Sequence, residues 1–145
     1  MLPPVCIVDT NIVVSGLIGA DRKSPPARIL NAMLDGTLLY LMSGDLLDEY
    51  SSVLRRPALV RLHQCTDDEI DRVLACLVAN AMWREPAVDG DAPDSGDDHL
   101  WALLATFPQA LLITGDGLLL DNPPSNAAVI SARDLLNMIS PAREE

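Results

Sequence analysis

Val5-Cys6-Ile7-Val8 is an unbroken apolar run that stops at Asp9, the pattern of a strand buried on both faces, as in a parallel sheet. Ser24-Pro25-Pro26 then opens a helix. Ser24 can accept a hydrogen bond at the N-cap, proline is pre-set for a first turn, and Ile29, Leu30, Met33 and Leu34 recur on one face until Gly36. Residues 38–42 form a second apolar run ending at Ser43, which can cap a helix reaching Arg56, where Pro57 breaks it. Thr66-Asp67-Asp68-Glu69 matches a capping box, with Ile70, Val73, Leu74, Leu77 and Val78 following at helical spacing. A short strand is expected at 82–84, and the Pro-, Gly- and Asp-rich stretch 85–96 reads as a loop. Asp97-Asp98 starts a helix carrying Leu100, Trp101, Leu103 and Leu104, which Pro108 ends. Leu111-Leu112-Ile113 is a strand running into Thr114-Gly115-Asp116; Ala128-Val129-Ile130 is a last strand, and Ser131 with Asp134 caps a final helix.

Strands thus alternate with helices from end to end, which calls for a parallel sheet covered on both faces. The expected fold is α/β, a three-layer α/β/α sandwich with a parallel central sheet, in one domain spanning residues 1–145. In such sheets the ligand sits at the carboxyl ends of the strands, where the loops leave and helix N-termini point. What the chain places there becomes the functional question.

Composition sharpens it. The chain carries 10 Lys+Arg against 21 Asp+Glu, a net charge of −11, and residues 85–132 hold eight acids with no Lys or Arg. A free surface of that sign repels nucleic acid, because phosphate binding is driven by Lys and Arg displacing counterions. If the acids converge, the same charge calls for a cation. At 49% apolar residues the chain is too hydrophobic to be an acidic disordered tail. Its three cysteines, Cys6, Cys65 and Cys76, form no even framework and no CxxC pair, which fits a reducing compartment, so the cytoplasm is the expected location. The longest uncharged run, from His99 to Gly115, is shorter than the ~20 residues a membrane span needs, and no membrane segment is expected.

Asp9 follows the first strand, Asp116 follows the strand at 111–113, Asp97 or Asp98 opens the helix leading into that strand, and Glu49 lies about two turns into the helix after the second strand. Four segments therefore aim a carboxylate at one edge. Like charges in contact repel by roughly 4 kcal/mol per pair at an effective dielectric of 20, so such a set stays ionised only around a cation. Mg²⁺ or Mn²⁺ suits an all-oxygen donor set. An ion so held can acidify a water for attack on a phosphodiester, and its charge reverses the local field that a substrate phosphate meets. Each acid also has an ordinary structural use as a helix cap or turn residue: Asp9-Thr10-Asn11 can be a turn, and Asp97-Asp98 can complement a helix dipole.

Asp9-Thr10-Asn11 after an apolar strand, Glu49 early in the helix after the second, Asp97-Asp98 followed by Leu100, Trp101 and Leu104, and Thr114-Gly115-Asp116 after a later strand together resemble the PIN-domain family. The resemblance covers the chain from Val5 to about Ile139, and is greatest to the bacterial and archaeal VapC-type toxins of toxin–antitoxin pairs. It implies a Mg²⁺- or Mn²⁺-dependent endoribonuclease acting on single-stranded RNA, often a homodimer, held inactive by a cognate antitoxin. Carried over by residue, Asp9, Glu49, Asp97 and Asp116 would be the acidic catalytic quartet. Asp9, Asp97 or its neighbour Asp98, and Asp116 would hold metal, and Thr10, Asn11, Ser43 and Thr114 would orient them.

The obvious phosphate contacts are Arg22, Lys23, Arg28, Arg55, Arg56 and Arg61, all in the first half. An aspartyl phosphatase or a receiver domain would need a later lysine, and the sole lysine is Lys23. The rival outside enzymology is a catalytically silent PIN-like module that binds a partner protein. The apolar faces of the helices at 28–35 and 45–56 offer a surface for a second copy or an antitoxin. His63 and His99 read as surface or packing residues, and Trp83 and Trp101 as core rather than base-stacking platforms, since the chain has only five aromatics.

Overall fold

A computed structural model describes residues 3–139. Its elements, in chain order, are β1 (Val5–Val8), α1 (Thr10–Ile18), α2 (Pro25–Leu34), β2 (Leu39–Met42), α3 (Gly44–Leu54), α4 (Pro57–His63), α5 (Asp67–Asn80) and β3 (Met82–Trp83). A 3-10 turn at Ser95–Asp97 leads into α6 (Asp98–Thr106), followed by β4 (Leu111–Ile113), α7 (Gly117–Asp121), β5 (Ala128–Ile130) and α8 (Ala132–Ile139). The strands form one five-stranded sheet in the order β3-β2-β1-β4-β5, with every pairing parallel. Cys6, Ile7 and Val8 on the central strand are fully enclosed, so helices cover both faces, as the alternation of elements requires. Burial pushes the Cys6 thiol up to about 12, which keeps it protonated and inert.

The strand order fixes the place of the site. From β1 the chain winds outward through β2 to β3, then returns to β4 on the other side of β1 and winds outward to β5. The turning point lies between the carboxyl ends of β1 and β4, the crevice where open parallel sheets bind ligands. Asp9 leaves β1 there and Thr114 leaves β4 there, and the ladder continues one step further through Asp9 N–H to the Ile113 carbonyl at 2.9 Å.

Local caps behave as the sequence indicates. Ser24 accepts from Ala27 N–H, Ser43 from Leu46 N–H, and Thr66 with Glu69 closes a reciprocal capping box. Two helices differ from expectation. Asp9-Thr10-Asn11 is no free turn: Asp9 is the N-cap of α1, whose first residue is Thr10. Pro57 ends α3 but also starts α4, because a proline lacking its N–H fits a first helical position as well as it blocks an interior one. Trp101 is core as expected, whereas Trp83, on the edge strand β3, is 43% exposed.

Most of the apolar residues at 28–35 and 45–56 are covered by the chain itself. Ile29, Leu30 and Met33 of α2, and Leu46, Tyr50 and Leu54 of α3, belong to the buried core, while Leu34 and Leu47 stay partly open. Among the described residues, no helix is long and apolar enough to cross a membrane.

Candidate metal and active site

Asp9, Glu49, Asp97 and Asp116 line one cavity of about 500 Å³ at the sheet's carboxyl edge, together with Thr10, Asn11, Asp94 and Arg56. Four distant segments supply the four acids. Asp9 is carried by the end of β1, Asp97 by the turn before α6 and Asp116 by the start of α7. Glu49 is set by its neighbour on α3: Tyr50 is fully buried and its hydroxyl donates to the Val8 carbonyl, tying the helix to the strand end next to Asp9.

A continuous network orients these groups. Asp9 is 4% exposed; its Oδ1 accepts Thr10 N–H at 2.7 Å, and its Oδ2 accepts the Thr114 hydroxyl at 2.8 Å and Asn11 Nδ2 at 3.3 Å. Thr114 Oγ1 accepts Asp116 N–H at 3.0 Å and Asn11 Nδ2 at 3.2 Å, while Asn11 Oδ1 accepts Gly115 N–H at 3.0 Å. The crevice between β1 and β4 is therefore stitched by Asn11 and Thr114. The Thr10 hydroxyl donates to Glu49 Oε1, and His99 Nε2 lies 3.3 Å from Glu49 Oε2. Asp116 Oδ1 caps α7 through Leu118 N–H at 2.9 Å. Asp97, although at the N-terminus of α6, makes no side-chain capping bond, so its carboxylate is not consumed by the helix.

Two expected members of the site stand elsewhere. Asp98 lines the neighbouring cavity with Asp45, Glu85 and Asp89, and its Oδ1 accepts Ala92 N–H at 2.9 Å. Of the adjacent pair, Asp97 is the one that faces the other acids. Ser43 is fully buried and spends its hydroxyl on the cap of α3, 3.2 Å from Leu46 N, with no bond to any acid. His99, expected at the surface or in packing, instead bonds a member of the quartet. It lies 50 residues from Glu49 along the chain, so no local spacing announces the pair. His63 does serve local structure, through Leu54 O and Cys65 N–H. Of the arginines, Arg55 is engaged by Asp67 and Asp71, whereas Arg56 lines the acid cavity.

The protonation energetics register the crowding. Burial, followed by the charges of Asp9, Glu49, Asp94 and Asp116, raises the Asp97 carboxyl from 3.8 to about 6. Burial also raises Asp9, partly offset by the bonds from Thr114 and Thr10, with the Glu49 charge adding to the rise. Glu49 goes the other way: the bond from His99 foremost, opposed by burial and assisted by the Thr10 hydroxyl, holds it below its ordinary value. For His99 burial acts downward, and the bond to Glu49 with the charges of Glu49, Asp45 and Asp9 outweighs it, leaving the imidazole raised.

A model of the PIN domain matches residues 5–117. The chain belongs to the PIN domain family. PIN domains are generally nucleases and generally use divalent metals. Among solved structures, the T. brucei RRP44 PIN domain is similar over 94% of this chain and 81% of that chain, at a TM-score of 0.48 and 14% identity. No curated protein matches the chain.

The donor set fits a hard divalent cation in chemistry: all oxygen, mutually repelling, and with open carboxylate oxygens on Asp97 and Asp116. It is not drawn closed in this PIN domain. Among the described residues, no three His, Cys, Asp or Glu side chains are grouped closely enough to hold an ion, so the acids ring the cavity rather than touch.

Proposed function

We propose that this PIN domain is a divalent-metal-dependent endoribonuclease that hydrolyses single-stranded RNA, with Mg²⁺ or Mn²⁺ held by Asp9, Asp97 and Asp116. One observation carries the reading: four acids from four segments line one cavity at the crevice between β1 and β4. A bound ion supplies positive charge for the attacked phosphate and lowers the pKa of a water. The remaining work belongs to the chain. Glu49, kept ionised by His99 and Thr10, accepts a hydrogen bond from the attacking water and orients it. Thr114 and Asn11 hold Asp9 against the repulsion of its neighbours. Arg56, on the wall of the cavity, receives a phosphate of the strand.

By its resemblance to the VapC-type toxins, the protein is read as the toxin of a toxin–antitoxin pair, cytoplasmic, homodimeric and silenced by its antitoxin. A second reading, a PIN domain that binds a protein partner and cuts nothing, draws on the open spacing of the acids. Purified protein, a mixed single-stranded RNA pool and Mn²⁺ decide between them. Wild type should cut, and Asp9→Asn, which keeps the side chain's shape, should not. Equal rates for the two proteins refute the nuclease and leave the binding module.

A further inference from the structure

Glu49 is a half-buried side chain on α3, and its carboxylate is gripped from both sides, by the Thr10 hydroxyl on Oε1 and by His99 Nε2 on Oε2. The two grips come from different elements. Thr10 begins α1 beside Asp9, whereas His99 sits on α6, two residues after Asp97. The His99–Glu49 bond therefore joins α3 to α6 and sets the carboxylate relative to Asp97 as well as to Asp9. The geometry points to His99 as a positioning residue for Glu49, an inference that rests on the nuclease reading above.

The cost of burying this imidazole supports the assignment. The His99 side chain is only 12% exposed, and its Nδ1 is enclosed without a hydrogen-bond partner. A buried polar atom left unpaired costs free energy, and an apolar side chain at this position would avoid the cost. Packing of α6 does not need it, because Leu100, Trp101, Leu103 and Leu104 supply the buried face of the helix. What the imidazole adds is an Nε2 set 3.3 Å from Glu49 Oε2, and because an ionised carboxylate only accepts, this nitrogen carries the hydrogen. With both oxygens accepting, the Glu49 carboxylate is held in one orientation, and its remaining lone pairs stay open to a water.

The test compares wild type with His99→Leu, which removes the N–H, and His99→Gln, which restores a side-chain N–H. Cleavage of a single-stranded RNA oligomer with Mn²⁺ is the first readout. His99→Leu should lose roughly 10–100-fold in kcat with KM little changed, the scale on which such supporting contacts act, and His99→Gln should recover most of it. The second readout needs no metal and no substrate: the imidazole nitrogen resonances of the metal-free protein should show Nε2–H bonded, with the signature lost in Glu49→Leu, which has no acceptor. Full activity in His99→Leu, equal losses in both His99 variants, or an Nε2 signal indifferent to Glu49→Leu each overturns the assignment. If wild type fails to cleave while the resonances still report the pair, the nuclease reading falls and this role falls with it. A missing pair in an active wild type removes this role alone.

Discussion

Replacing Asp97 by asparagine removes one charge from a cavity that holds several, and the expected gain in stability can be worked from the structure. The carboxyl is raised from 3.8 to about 6 by burial first and then by Asp9, Glu49, Asp94 and Asp116. At about 1.4 kcal/mol per tenfold change in proton affinity, that difference corresponds to ~3 kcal/mol of destabilisation by the ionised form at neutral pH. Asp97 keeps part of its surface in water, and screening there reduces the figure to roughly 1–1.5 kcal/mol. The sign follows from linkage. The folded protein holds this proton more tightly than the unfolded chain, so wild type loses stability as pH rises from about 4 to about 6, and the full loss persists above that.

In chelator at pH 7.5, Asp97→Asn should therefore melt higher than wild type by roughly 2–6 °C for a domain of this size. At pH 4 the gap should close, because wild type is then largely protonated at this position. Adding Mn²⁺ at 100 times its dissociation constant should raise wild type by about 2.7 kcal/mol and the variant by much less. A variant that melts at or below wild type at pH 7.5, or a gap of the same size at both pH values, would refute the claim that these acids repel one another across the cavity.

The loop before α6 supplies a second prediction. A Cβ on Gly90 would lie 2.3 Å from the Asp98 carbonyl oxygen and 2.4 Å from Ala102 N, so Gly90→Ala should cost about 1–3 kcal/mol in a melt and, by moving the loop that carries Asp97, lower cleavage. Asp98→Ala should retain most of the cleavage that Asp97→Ala loses, measured side by side on one RNA; the reverse ranking would reassign the pair. Arg56→Ala should weaken RNA binding across sequences and reduce the slope of log affinity against log salt by about 1, as read from titrations at several ionic strengths.

How much of this was legible in the sequence depended on how local the cause was. The strands β1, β4 and β5 are apolar runs stopped by polar residues, and the caps at Ser24, Ser43 and Thr66 act within three residues, so all could be read directly. Helix α1 could not. Its sequence carries β-branched Ile12, Val13 and Val14 and then Gly16, a poor intrinsic helix former. The helix exists because Asp9 caps it and because Gly16 lets α2 press against it, a Cβ there falling 2.7 Å from the Pro26 carbonyl oxygen and 2.9 Å from Leu30 Cβ. Both causes are tertiary or overlap the functional motif. The convergence of the acids was legible because parallel topology alone sends strand ends to one edge. His99 was not, since its partner lies on another helix and nothing in the neighbouring residues marks it.

What separates these acids from structural ones is the kind of partner they keep. A carboxylate buried for structural reasons is usually paired, and even the exposed Asp67 and Asp71 are bridged by Arg55. Among the described residues, no Lys or Arg bridges Asp9, Glu49, Asp97 or Asp116; of the four, only Glu49 has an ion-pair partner, His99. Their other partners are hydroxyls, a side-chain amide and backbone N–H groups, from Thr10, Thr114, Asn11 and Leu118. Neutral donors of this kind hold an oxygen in place and favour its ionised form without cancelling its charge. The fold thus spends its hydrogen bonds on keeping the cavity negative, which works against its own stability. That choice has a physical rationale if the compensating charge comes from outside the chain, and the same reasoning explains how a protein of net charge −11 could handle a polyanion.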